Sequence, residues 1–199
     1  MKILTININE GGTGKTTVTH NFAEFLSQNS KVLLLDFDES ANLTRRYGYY
    51  NQLENTILAI FDNSEVCPIS LTDHLDLIAG HRETEQLKER LLSRRCREVL
   101  LGKWIGQNYD WLEKLYDYIL IDTENDEDIL TTNAVIVSDM VLGVSDPSKD
   151  GVEALLALRK FVSELNDDFD SETKLHFLTN LVNYLEKYNF SETSSKEML

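Results

Sequence analysis

Short continuous apolar runs alternate along this chain with stretches in which apolar positions recur every three or four residues. The runs predict strands at 2–8, 31–36, 74–78, 118–122, 140–145 and 174–180. The periodic stretches predict helices at 15–29, 82–101, 104–116, 129–137 and 149–165, with a weaker helical signal at 53–62. Val32-Leu33-Leu34-Leu35 and Ile119-Leu120-Ile121 are apolar at every position, as strands covered on both faces must be. This alternation of strand and helix predicts an α/β fold, a three-layer, doubly wound, mainly parallel sheet. The polar stretch from Asp38 to about Arg46 reads as a loop, and residues after about 185 read as weakly structured. The expectation is one domain over 1–199.

Composition narrows this picture. The apolar runs are far too short to cross a bilayer, so no membrane partner is expected. The chain opens directly on a strand with no leader pattern, which predicts a cytoplasmic protein with Cys67 and Cys96 as reduced thiols. A net charge of −15 argues against a broadly basic nucleic-acid surface. Arg82, Lys88, Arg90, Arg94, Arg95, Arg97 and Lys103 do cluster, against four glutamates. They read as a solvated helix face, with a weak DNA- or partner-touching face as the alternative. Trp104 and Trp111, seven apart, read as core residues on one helix face.

The chemistry concentrates between the first strand and the first helix, in Asn9-Glu10-Gly11-Gly12-Thr13-Gly14-Lys15-Thr16-Thr17. Glycines there let the backbone close around phosphates where a side chain would collide. Successive N–H groups form an anion nest, and the helix start adds unpaired donors. Lys15 can reach β- and γ-phosphates, and the Thr16 hydroxyl can ligate Mg²⁺. The strict pattern needs glycine where Asn9 stands, so this is a variant P-loop. Asp36 and Asp38 near the end of the second strand, and Asp122 at the end of the fourth, would lie on the same sheet edge. A carboxylate after a buried strand is where such proteins hold Mg²⁺; the alternative for Asp122 is a helix cap.

Three segments together resemble the ParA/MinD class of deviant Walker ATPases, nearest to the plasmid- and chromosome-partitioning ParA branch. They are Glu10 to Thr17, Asp36-Phe37-Asp38-Glu39-Ser40-Ala41-Asn42-Leu43-Thr44 and Tyr118-Ile119-Leu120-Ile121-Asp122-Thr123. The resemblance implies a P-loop NTPase that binds ATP or ADP with Mg²⁺. Lys15 would bind phosphates in cis, with Gly11, Gly12, Thr13 and Gly14 around them, and Thr17 would touch the α-phosphate. Thr16, Asp36 and Asp122 would serve the metal, and Asp38 would help position the attacking water. Pro147 and Asn180 would border the adenine. It also implies a DNA-site-binding (centromere-binding) adaptor protein, weak non-specific DNA contact and a nucleotide-dependent homodimer.

Departures from the pattern are equally specific. The signature lysine before the double glycine, a trans-acting finger in relatives, is Glu10 here. The proline-glutamine after the switch aspartate is Glu39-Ser40, and the double proline after the Walker B threonine is Glu124-Asn125, followed by Asp126-Glu127-Asp128. These changes predict weak hydrolysis and weak dimerisation. The alternative is a non-hydrolysing, nucleotide-dependent regulator or scaffold. Arg45 and Arg46 read as surface charge, with rescue of the missing lysine as the other reading.

Overall fold

The computed structural model describes residues 1–50 and 52–182. The apolar runs form β1 (Lys2–Asn7), β2 (Val32–Asp36), β4 (Leu75–Ile78), β5 (Tyr118–Asp122), β6 (Met140–Ser145) and β7 (Lys174–Thr179), and a further strand, β3, covers Ile69–Thr72. They make one sheet in the order β3-β4-β2-β5-β1-β6-β7. Each neighbouring pair is parallel except the β3–β4 hairpin. The helices are α1 (Lys15–Leu26), α2 (Asn42–Tyr47), α3 (Ile57–Phe61), α4 (Thr84–Leu92), α5 (Leu100–Gln107), α6 (Tyr109–Leu115), α7 (Ile129–Val137) and α8 (Lys149–Phe169).

Strand alternation divides the core between the two faces. Leu33, Leu35, Ile119 and Ile121 pack with Phe61, Leu87, Leu101, Trp104 and Leu112 from α3 to α6. Val32, Leu34 and Leu120 pack on the other face with Ala23 of α1. Leu158, Val162 and Leu165 of α8 close over Val141 of β6. The doubly wound architecture expected from the sequence is therefore present.

Several boundaries differ, each for a visible reason. The helix predicted over 82–101 is two, because Cys96 takes a left-handed φ of 52° and Asn133 of α7 intervenes. Its side chain accepts from the Leu101 N–H (3.0 Å) and donates to the Arg97 carbonyl (2.7 Å), replacing helical bonds. The helix predicted over 104–116 also divides, into α5 and α6, so Trp104 and Trp111 sit on separate helices, with rings 6.3 Å apart edge to face. The loop after Asp38 contains α2. The weak order expected after about 185 falls outside the described residues.

Candidate functional site

Strand order brings the chemistry together. β5 and β2 are neighbours with Asp36 opposite Asp122, and Ile6 of β1 stands opposite Asp122 on the other side. The glycine loop leaves β1 at this carboxyl edge and turns into α1. Gly12 (φ 82°) and Gly14 (φ 93°) occupy the left-handed region, where a side chain would be strained. A Cβ on Gly14 would also lie 2.5 Å from Nδ2 of Asn180.

The loop encloses Lys15, which is only 7% exposed. Its ammonium donates to the carbonyls of Ile8 (3.3 Å) and Glu10 (3.1 Å) and to Oδ1 of Asn125. Burial pulls its pKa down, while Asp122, Asp38 and Glu10 act in the opposite direction. Asp122 is almost wholly buried; its Oδ1 accepts from the Thr19 hydroxyl at 2.7 Å, and its Oδ2 has no hydrogen-bond partner. Burial pushes its pKa up to about 6, against the hydroxyls of Thr19 and Thr16 beside it. A buried carboxylate oxygen with no donor, next to a hydroxyl at a helix start, suits a hard divalent cation. Asp122 does not cap the next helix. Asp128 does, accepting from the N–H groups of Leu130 and Thr131 at 2.8 Å each.

Asp36 is differently placed. Oδ2 accepts from the Thr44 N–H (2.8 Å) and hydroxyl (2.6 Å), and Oδ1 accepts from the Asp38 N–H (3.2 Å). Both oxygens are thus engaged by the loop they anchor. Burial first, then Asp122, raises its pKa to about 7, opposed by the Thr44 bonds. Folding therefore favours the protonated form. The stabilisation is complete below the ordinary carboxylate range and is lost as pH rises through about 7. The unfolding temperature of the metal-free protein is expected to fall between about pH 5 and about pH 8, and Asp36→Asn to flatten that slope. A slope unchanged in the variant would contradict the assignment.

Asp38 turns within its loop, with Oδ1 accepting from Ser40 N–H at 2.7 Å and Oδ2 from Asn42 at 3.4 Å. Asn180 donates from Nδ2 to the Thr13 carbonyl (2.8 Å) and from its N–H to the Ser145 carbonyl (2.7 Å), so it braces the glycine loop. Pro147 lies in the β6–α8 turn, between Asp146 and the α8 cap Ser148. The Glu10 carboxyl has a buried, unpartnered Oε2, and its pKa is raised by burial and then by Asp146 and Asp150, with Lys15 opposing.

Sequence reasoning missed two residues here. Asn125 is the side-chain partner of Lys15. Lys88, read as solvated, is buried instead among Glu124, Asp128 (2.6 Å), Glu85 (3.4 Å) and Asp126 (3.7 Å). Burial opposes its charge, but bonds to Asp128 and Glu124 outweigh that and raise its pKa. Glu124 also accepts from the Glu39 N–H at 2.6 Å, tying the acidic loop to the switch segment. The other basic residues are partly committed too: Arg90 to Asp62 (3.2 Å), Arg94 to the Phe61 carbonyl and Arg97 to Glu98 (2.9 Å).

A mainly parallel sheet with a glycine loop between β1 and α1, a lysine inside it and an aspartate on the adjoining strand end defines a P-loop NTPase. Residues 1–175 match the AAA domain family AAA_31. A ParA family protein of Chlamydia pneumoniae is 30% identical over 175 residues, covering 83% of this chain and 67% of that protein. A plasmid partition protein of Borrelia burgdorferi superposes with a TM-score of 0.83 at 30% identity, over 98% of this chain and 86% of that one. A second Borrelia burgdorferi structure, a putative plasmid partition protein bound to AMPPNP, gives 0.81 at 29%, over 98% and 83%. The chain belongs to the ParA/MinD-type family of P-loop ATPases. No helix among the described residues is long and apolar enough to cross a membrane.

Proposed function

We propose that this protein binds ATP and ADP with Mg²⁺ and acts as a partition-type ATPase with slow hydrolysis. The observation that carries this reading is the buried Lys15 ammonium inside the glycine loop, beside the unpartnered Asp122 oxygen. The loop amides and Lys15 would hold the phosphates, and Thr17 would meet the α-phosphate. Thr16 and Asp122 would hold the metal, and Asp36, whose oxygens are taken by Asp38 and Thr44, would support it through the loop it anchors. The ion would neutralise charge on the phosphate oxygens during transfer. Asp38 would orient water, and Pro147 and Asn180 would border the base. Likeness to plasmid partition proteins supports a DNA-segregation role with a centromere-binding adaptor, weak non-specific DNA contact and a nucleotide-dependent homodimer.

Glu10 sets the rate in this reading. A carboxylate about 4 Å from a phosphate oxygen costs up to about 4 kcal/mol at an effective dielectric of about 20. Glu10→Lys is therefore expected to raise steady-state phosphate release about tenfold or more. A lysine variant no faster than the native chain would remove this charge as the brake. A second reading, a nucleotide-dependent regulator or scaffold, is favoured by the bond from the Glu39 N–H to Glu124, which fastens the switch segment to the acidic loop. Nucleotide binding without turnover, even with DNA and adaptor added, would select it.

A further inference from the structure

The helix after the switch segment brings a guanidinium to the phosphate loop. Nη2 of Arg46, in α2, donates to Oγ1 of Thr17 at 2.9 Å. Thr17 is the third residue of α1, where backbone N–H groups still lack helical acceptors. Both side chains are exposed, so the guanidinium can turn from the hydroxyl to an arriving anion without opening the core. Among the described residues no carboxylate lies within 4.0 Å of it.

Its backbone is held from both sides. Thr44, two residues earlier, donates twice to the buried Asp36 at the end of β2. Tyr47, the next residue, shares a hydrogen bond with Nδ1 of His20 (2.8 Å) and donates to Glu24 (3.1 Å), both on α1. The neighbouring Arg45 points back to the Ser40 carbonyl in its own loop. Arg46 is thus a cation with a fixed backbone and an exposed head held by the Thr17 hydroxyl, at an edge otherwise crowded by Glu10, Asp36, Asp38, Asp122, Asp146 and Asp150. An incoming polyphosphate would meet those carboxylates at this edge, and Arg46 adds a second positive charge to that of Lys15.

Resting on the nucleotide reading above, we propose that Arg46 is a phosphate ligand of this site, a cation from the same chain directed at the phosphate nearest Thr17. The planar guanidinium can give two parallel N–H groups to phosphate oxygens. It places positive charge in cis beside a glycine loop that carries the Glu10 carboxylate. Nucleotide affinity then depends on Arg46 in the single chain, before any second copy is engaged.

Titration calorimetry tests this with Mg-ADP on the native chain, Arg46→Ala, Arg46→Lys and Arg159→Ala, the last on the exposed face of α8. Arg46→Ala is expected to bind Mg-ADP about tenfold more weakly with an unchanged unfolding temperature. Arg46→Lys should recover part of the loss, Arg159→Ala should match the native chain, and the native affinity should fall more steeply with salt than that of Arg46→Ala. Native affinity in Arg46→Ala, or an equal loss in Arg159→Ala, would overturn the assignment and leave the nucleotide site standing. A native chain that binds no Mg-ADP would overturn the nucleotide site itself and this assignment with it.

Discussion

Lys88→Met is expected to lower the unfolding temperature by about 5–10 °C at neutral pH. Lys88 is the cation within reach of Glu85, Glu124, Asp126 and Asp128, and its own side chain is 10% exposed. Methionine keeps the length and removes the charge. Removing one member of a buried ion pair costs about 3–5 kcal/mol, and the partial exposure of these partners puts this case at or below the bottom of that range, about 2–3 kcal/mol. In a chain of this size each kcal/mol corresponds to about 2–4 °C. The folded pKa of Lys88 is raised, so its contribution is complete throughout the neutral range and is lost only at strongly alkaline pH. The pKa values of Glu124 and Asp126 are raised, chiefly by burial. Acid therefore neutralises the unpaired carboxylates, and the gap between native and variant should narrow as pH falls. Thermal unfolding across pH checks both statements; a loss under about 1 °C at neutral pH would contradict them.

The second large effect is expected from Lys15→Ala, which should weaken Mg-ADP at least about a hundredfold. The ammonium is held by main-chain carbonyls and an amide oxygen, neutral acceptors that a phosphate oxyanion outcompetes. Its loss also removes a positive neighbour of Asp122, so a proton would compete harder with metal there. Because the lysine is surrounded by the loop and not by core side chains, the fold should survive. Circular dichroism and calorimetry on the same sample separate the two effects.

How far the sequence disclosed this arrangement depended on range. β2 and β5 were legible because each holds an unbroken apolar run, as a strand covered on both faces requires, and β1 and β6 because apolar residues dominate them around Thr5 and Gly143. β3 was not, since Ile69–Thr72 is four residues of half-buried edge strand, with no such run. The break between α4 and α5 carries no glycine or proline; it is imposed by Asn133 from α7. Lys15, Thr16 and Asp122 were legible because the loop is a local motif and the aspartate follows a recognisable strand. Asn125 and Lys88 were hidden because their partners lie 110 and 36 residues away. Only the strand order, with β5 beside β1, brings the loop after β5 onto the glycine loop. Arg46 was singled out with Arg45 in the sequence, but only the packing of α2 on α1 distinguishes the two.

The central claim is that the glycine loop, Lys15, Thr16 and Asp122 form a Mg²⁺-nucleotide site. Calorimetric titration of the native chain with ADP at millimolar magnesium tests it most directly. The account predicts saturable heat, with affinity rising between about pH 5 and about pH 7 as Asp122 loses its proton near pH 6. Folded protein that gives no heat across that range, and that behaves identically as Lys15→Ala, would contradict it.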